Sequence, residues 1–290
     1  MTESSAETVP AAGYRSRIAR PVFIVSSPRS GSTLLFETLA QAPGLYTIGG
    51  ESHGIIEGVP EFRPAARGWH SNRLTAQDAV PEPSERLARA FYDRLRDRDG
   101  KPADGPVRML EKTPKNALRV PFLDAIWPDA LFVYLYRDPR QTLSSMFEAW
   151  LSRGFRTYPQ LPGWHGDPWS LLLVPGWQRL AGQPVQIIVA EQWKATTEIL
   201  LDDLALLPPE RVRVLDYDDF LAAPQASVEA LAASLDLGWD RTLGADLPLS
   251  KHTVSRPQAG KWRANQPAID SVWPIVEATA ARARAFIESR

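Results

Sequence analysis

Residues 22–35 read VFIVSSPRSGSTLL, and this stretch limits the fold more than any other. The run PVFIV from Pro21 is apolar throughout, without polar alternation. Such a run predicts a strand buried on both faces, as in a parallel sheet. Leu35 and Leu39 follow a Ser/Pro/Arg/Gly turn, four residues apart, which predicts a helix with one buried stripe. ALFVYLYRDP from Ala130 repeats the pattern: a β-branched and aromatic run, then Arg137, Asp138 and Pro139. Asp138 suits an N-cap and Pro139 the first position of a helix through RQTLSSMFEAW.

Three further strands are predicted at GLYTIGGE, at VRMLEKTP from Val107 and at RVRVLDY from Arg211. Helices are predicted at SERLARAFYDRLRDR, with Ser84 as its N-cap, at VQIIVAEQWKATTEILLDDLALL, at ASVEALAASLDL and from about Ile269. Strands alternating with helices predict an α/β fold: a single domain over residues 21–290 with a mainly parallel central β-sheet flanked by helices. Residues 1–20 are small and polar and read as a disordered N-terminal arm. Residues 54–83 and 151–180 have little periodicity and many Pro, Gly, Arg or Trp residues, and they read as cap or acceptor-site segments.

Composition removes several function classes. Lys and Arg number 33 against 34 Asp and Glu, so nucleic-acid binding has no general basic surface to rest on. No cysteine is present, which excludes disulfides, thiolate metal sites and a Cys nucleophile; a reducing cytoplasm is the simplest compartment, though the absence of Cys alone also suits export. No apolar run approaches the ~20 residues that span a bilayer. Four scattered His residues suggest no metal centre.

The loop after the first strand suits an anion. Backbone N–H groups at a helix start lack internal partners, and the helix dipole places positive charge there. Ser26, Ser27, Ser30, Ser32 and Thr33 add hydroxyl donors, Gly31 permits close backbone approach, and Arg29 brings a fixed charge. The loop is similar to a Walker A loop, yet Ser26 replaces its first Gly and Ser32 its Lys. A loop without that Lys is poorly equipped for the β- and γ-phosphates of ATP with magnesium. Arg137 ends a second buried strand, where open parallel sheets bind ligands. Ser145 lies two helical turns further on and reaches the same crevice only if its helix leans over it. On the ordinary alternative, Arg137 pairs with an acid and Ser145 is a plain helix residue.

SSPRSGSTLL together with YLYRDPRQTLSS resembles the two cofactor motifs of sulfotransferases. The likeness continues through EKTPKN, VLDYDDFLAAPQASVEALAASL and GKWRAN, in consistent order over most of the chain after residue 20. It implies a P-loop sulfotransferase-like fold and 3′-phosphoadenosine 5′-phosphosulfate (PAPS) as sulfuryl donor, with the bisphosphate PAP as product and no metal required. The first loop would then hold the 5′-phosphosulfate, with Arg29 bridging the sulfuryl group and the leaving oxygen. Arg137 and Ser145 would hold the 3′-phosphate. Many members carry Lys at the position of Arg29; those acting on carbohydrate, protein or lipid alcohols carry Arg.

Sulfuryl transfer to an alcohol needs a base, cations for the developing charge, and alignment. Glu51 and His53 in IGGESHG are the candidate bases, with Glu51 preferred and His53 as its alternative or orienting partner. Lys112 would aim at the transferring group; the alternative is a surface Lys paired with Glu111. Thr113 and Asn116 are lesser candidates. Lys261 and Arg263 would close over the 3′-phosphate and Trp262 over the adenine, with His252 and Arg256 in the same lid. Trp150, Trp164, Trp169 and Trp177 read equally as acceptor-pocket walls and as packed core. WSLLLVPGWQRLAG, LPLSKHT and KWRAN resemble sulfotransferase domains of bacterial polyketide assembly lines, which implies a polyketide or acyl β-hydroxyl acceptor, small or carrier-bound. A P-loop small-molecule kinase and an inactive nucleotide-binding scaffold are the competing readings.

Overall fold

The computed structural model describes residues 13–244, 247 and 260–290. In chain order these form α1 (Tyr14–Arg17), β1 (Val22–Val25), α2 (Ser32–Leu39), β2 (Leu45–Tyr46), α3 (His53–Ile56) and α4 (Pro81–Tyr92). Then come β3 (Arg108–Lys112), α5 (Val120–Ile126), β4 (Leu131–Tyr136), α6 (Pro139–Ser152), β5 (Arg156–Tyr158) and β6 (Trp169–Ser170). The rest is α7 (Val185–Ala205), β7 (Val212–Asp216), α8 (Tyr217–Ala222), α9 (Pro224–Ser234) and α10 (Gln266–Glu288).

The central sheet has the order β2-β3-β1-β4-β7, and every pairing in it is parallel. Ile24 of β1 lies opposite Lys112 of β3 and Val133 of β4. All four residues of β1 and all six of β4 are buried, as strands covered on both faces must be. One face is closed by α2, α8 and α9 through Leu35, Leu39, Phe220, Val228 and Leu231. The other is closed by α4, α5 and α7 through Leu87, Phe91, Phe122, Leu123, Leu200 and Leu204. The carboxyl ends of the strands therefore share one edge, where the crevice of an open parallel sheet lies. The single-domain α/β fold expected from the alternation is the one observed.

Local expectations needed correction. α4 starts at Pro81, with Val80 as the capping position, and Ser84 is buried within its first turn. Pro81 fixes φ for a helix start and lacks only an N–H that the first turn leaves unpaired, so the helix begins before the Ser. α10 starts at Gln266 rather than near Ile269. The described part of the supposed arm is ordered: Tyr14–Arg17 is helical, and Ile18 is buried and bridges to Val107. Residues 54–83 hold short 3-10 turns at Pro60–Phe62, Ala65–Arg67 and Ala76–Asp78. Within 151–180, Trp169 and Trp177 are buried and pack edge-on with Trp150 and Trp164. Trp150, Trp169 and Trp177 are core, and Trp164 lies half-buried against them.

Candidate active site

Each strand of the central sheet delivers one part of the site within a few residues of its carboxyl end. β1 runs into Ser26–Gly31, β3 ends at Lys112, β4 is followed by Arg137, β7 by Tyr217, and β2 leads through Gly49 and Gly50 to Glu51.

The first loop turns sharply. Arg29 has φ 67° and Gly31 φ 90°. A left-handed Arg is strained, and such strain collects at ligand sites. Gly31 is required twice over: its φ suits glycine, and an added Cβ would stand 2.1 Å from the Tyr217 ring. Ser32 and Thr33 open α2. The Ser27 and Ser30 hydroxyls lie 3.0 Å apart, and the Ser26 hydroxyl is buried without a partner among the described residues. A buried orphan hydroxyl is costly unless a ligand or water meets it.

Arg137 turns into this loop. Its Nη1 donates to the Arg29 carbonyl at 2.9 Å, and its Nε and Nη2 donate to Gln141 Oε1 at 3.2 Å each. The Tyr217 ring lies under the guanidinium, 4.8 Å from Cζ. Arg29 in turn donates from Nε to Ser145 Oγ at 3.3 Å and lies over the Phe155 ring at 4.5 Å. α6 thus leans over the crevice far enough for Ser145 to join the site. Asp138 starts that helix as expected, accepting from the Gln141 backbone N–H at 3.1 Å, with Pro139 in the first turn. Among the described residues no carboxylate lies within ion-pair distance of Arg29 or Arg137, so the expected alternative of an acidic partner for Arg137 fails. Burial pushes both guanidinium pKa values down, and the nearness of Arg137 lowers that of Arg29 further. Two neighbouring half-buried cations without an ion-pair partner among the described residues ask for an anion with negative charge near both.

The second cluster lies beside the first. Lys112 is only 2% exposed and donates from Nζ to Glu51 Oε1 at 2.5 Å and to Thr33 Oγ1 at 3.0 Å. It pairs with Glu51 and not with Glu111, whose side chain leaves the opposite face of the strand. Glu51 Oε2 takes the second bond from His53 Nε2 at 2.8 Å. Burial favours the neutral acid at Glu51, but His53 and Lys112 outweigh it and hold the carboxyl at about 2. His53 Nδ1 is enclosed and has no partner among the described residues.

The turn is fastened from below. The Ser52 N–H donates to Thr113 Oγ1 at 2.7 Å and the Ser52 hydroxyl to Glu111 Oε1 at 2.6 Å. Asn116 Nδ2 donates to Glu111 Oε2 at 2.5 Å. Thr113 and Asn116 therefore serve the buried Glu111, whose pKa burial raises.

GKWRAN borders α6. Lys261 pairs with Glu148 at 3.1 Å, and Asn265 donates to Ser144 Oγ at 2.9 Å. Arg263 lies over Trp262 at 5.3 Å. Trp262, Gln141, Asp138 and Asp218 share the lining of a cavity of about 400 Å³. His252 and Arg256 lie outside the described residues. Sequence reasoning missed Gln141, Tyr217 and Phe155. Tyr217 follows a strand end in VLDYDDF, a position that alone would have justified naming it; Phe155 carries no sequence signal.

A profile of the sulfotransferase family matches residues 21–241, and the chain belongs to that family. It is 28% identical over 127 residues to a putative protein-tyrosine sulfotransferase of Caenorhabditis briggsae, covering 44% of this chain and 42% of the relative. It is 21% identical over 260 residues to protein-tyrosine sulfotransferase A of Caenorhabditis elegans, covering 86% and 60%. The aligned regions thus span 42–60% of the length of these curated relatives. A crystal structure of a sulfotransferase from Alicyclobacillus acidocaldarius shares the fold, with TM-score 0.52, 16% identity, and 93% and 97% of the two chains covered. Among the described residues no helix is long and apolar enough to cross a membrane, and no three metal-ligating side chains gather.

Proposed function

We propose that the protein transfers a sulfuryl group from PAPS to an acceptor hydroxyl, giving a sulfate ester and PAP. The observation that carries this reading is the Arg29–Arg137 pair: two half-buried arginines, the Arg137 guanidinium held at 2.9 Å on the Arg29 backbone carbonyl, with no carboxylate within ion-pair distance of either among the described residues. The orphan Ser26 hydroxyl and the Ser27–Ser30 pair fit a phosphosulfate at the start of α2. Arg137 and Ser145 would hold the 3′-phosphate, with Lys261 and Arg263 at its border and Trp262 against the adenosine.

PAPS supplies a sulfur bonded to a phosphate oxygen that leaves readily. Arg29 would face that bond and stabilise charge on the leaving oxygen. Lys112 has three N–H donors; two serve Glu51 and Thr33, and the third remains for a sulfuryl oxygen. Glu51 accepts the acceptor's hydroxyl proton as the new S–O bond forms and the old one breaks. Drawing Lys112 towards the sulfuryl oxygens weakens its hold on Glu51, so the carboxylate becomes more basic when it must act. His53 orients Glu51 through its Nε2, and its own Nδ1 is enclosed.

The acceptor proposed from the sequence is a polyketide or acyl β-hydroxyl, free or carrier-bound, met in the cytoplasm. The names of the curated relatives add a tyrosine phenol to the assay panel. A kinase reading lacks a Lys at Ser32, and an inactive scaffold would not retain Glu51 and Lys112 in contact beside the loop. The test is turnover of labelled PAPS against β-hydroxyacyl and tyrosine-peptide acceptors, with ATP and magnesium as the competing donor. Label transfer from PAPS alone is expected; phosphate transfer from ATP would overturn the reading.

A further inference from the structure

Arg137 has five N–H donors in a rigid plane. Three are committed within the protein: Nε–H and one Nη2–H to Gln141 Oε1, and one Nη1–H to the Arg29 carbonyl. One N–H on each terminal nitrogen is left, the number that grips two oxygens of a single phosphate group. The orientation depends on which end of the Gln141 amide faces Arg137. Asp218 decides it, since its carboxylate only accepts, and Gln141 Nε2 donates to Asp218 Oδ2 at 3.0 Å. The amide oxygen therefore faces the guanidinium. Gln141 carries no charge, so it fixes Arg137 without cancelling the charge offered to the ligand. The Gln141 backbone is itself held by the Asp138 cap at 3.1 Å.

We propose that Gln141, oriented by Asp218, is a positioning residue that aims Arg137 and so makes the site selective for a phosphate monoester on the ribose of the nucleotide. This rests on the donor assignment above and goes beyond it by naming the side chains that set selectivity. Neither residue touches the reacting atoms.

The test is calorimetric titration of adenosine 3′,5′-bisphosphate and adenosine 5′-phosphate into the wild type, Gln141→Leu, Asp218→Asn and the double variant. Asp218 is exposed, so Asp218→Asn gives a readout even if Gln141→Leu folds poorly. In Gln141→Leu, affinity for the bisphosphate should fall about tenfold, the loss of one charge-assisted hydrogen-bonding partner. In Asp218→Asn it should fall roughly two- to fivefold on that scale, because the amide is then free to turn. Affinity for the monophosphate should not change, and the double variant should bind no worse than Gln141→Leu. The KM for PAPS should rise with kcat held. Equal losses for both nucleotides, an unaffected Gln141→Leu, or additive losses in the double variant would overturn the proposal. A wild type that binds no bisphosphate would instead defeat the donor assignment, and needs no variant to show it.

Discussion

Glu51→Gln separates the two clusters of the site most cleanly. The substitution keeps the shape of the side chain and removes its charge. Holding a carboxyl at about 2 instead of its ordinary 4.5 reflects ~3 kcal/mol of differential interaction, supplied by His53 and Lys112 against the penalty of burial. Most of that coupling disappears in the variant. Lys112, 2% exposed, then keeps only the introduced amide oxygen and the Thr33 hydroxyl as partners. An ammonium released from its carboxylate strengthens the positive field at the loop, so PAP affinity should hold or rise. Loss of a general base should lower turnover by about 10²–10⁴. Single-turnover transfer from labelled PAPS measures the second effect and calorimetry with PAP the first. Turnover within about threefold of the wild type, far short of the loss expected for a base, would refute the assignment. A tenfold loss of PAP affinity would show instead that Glu51 is a strut for the loop.

Gly31→Ala should destabilise the protein by roughly 2–5 kcal/mol, from left-handed strain at φ 90° and from a Cβ 2.1 Å from the Tyr217 ring. Thermal unfolding checks this, and PAP should protect the variant less than the wild type because Tyr217 also supports Arg137. His53→Gln should move the acid limb of kcat/KM upward from near pH 2 towards 4.5, since a weaker partner at Glu51 lets burial raise its carboxyl. The sign for stability follows: with a lowered folded-state value, the Glu51 contribution is present above pH 4.5, where the unfolded chain is also ionised, and is lost as pH falls through about 2. An acid limb that stays in place in His53→Gln would contradict the orienting role.

Much of this is legible in the sequence because the anion loop and its neighbour are local in the chain. Gly31, Ser32 and Thr33 sit where an apolar run meets a helix, and Asp138 and Pro139 announce their helix start in adjacent residues. Strand order was not legible, since parallel neighbours such as Ile24 and Lys112 are joined only by the folded sheet. The same distance hid the partner of Lys112: sequence adjacency suggested Glu111, but alternate residues of a strand face opposite ways. Gln141 looked like an ordinary helix residue because its meaning depends on Asp218, which only the crevice brings near. The Trp residues were ambiguous for a plain reason. An aromatic cluster wraps a core and lines a pocket with the same composition, and only burial decides between them.

The central claim is that Arg29 and Arg137 together form a seat for both charged ends of one doubly phosphorylated adenosine. Calorimetric titration of PAP into the wild type and Arg137→Ala, with ATP and magnesium in parallel, tests it most directly. The account predicts metal-independent PAP binding to the wild type and a loss of about 10²–10⁴ in affinity in the variant, as expected for two charge-assisted hydrogen bonds. Tight ATP binding with no response to PAP, or PAP binding that ignores Arg137→Ala, would contradict it.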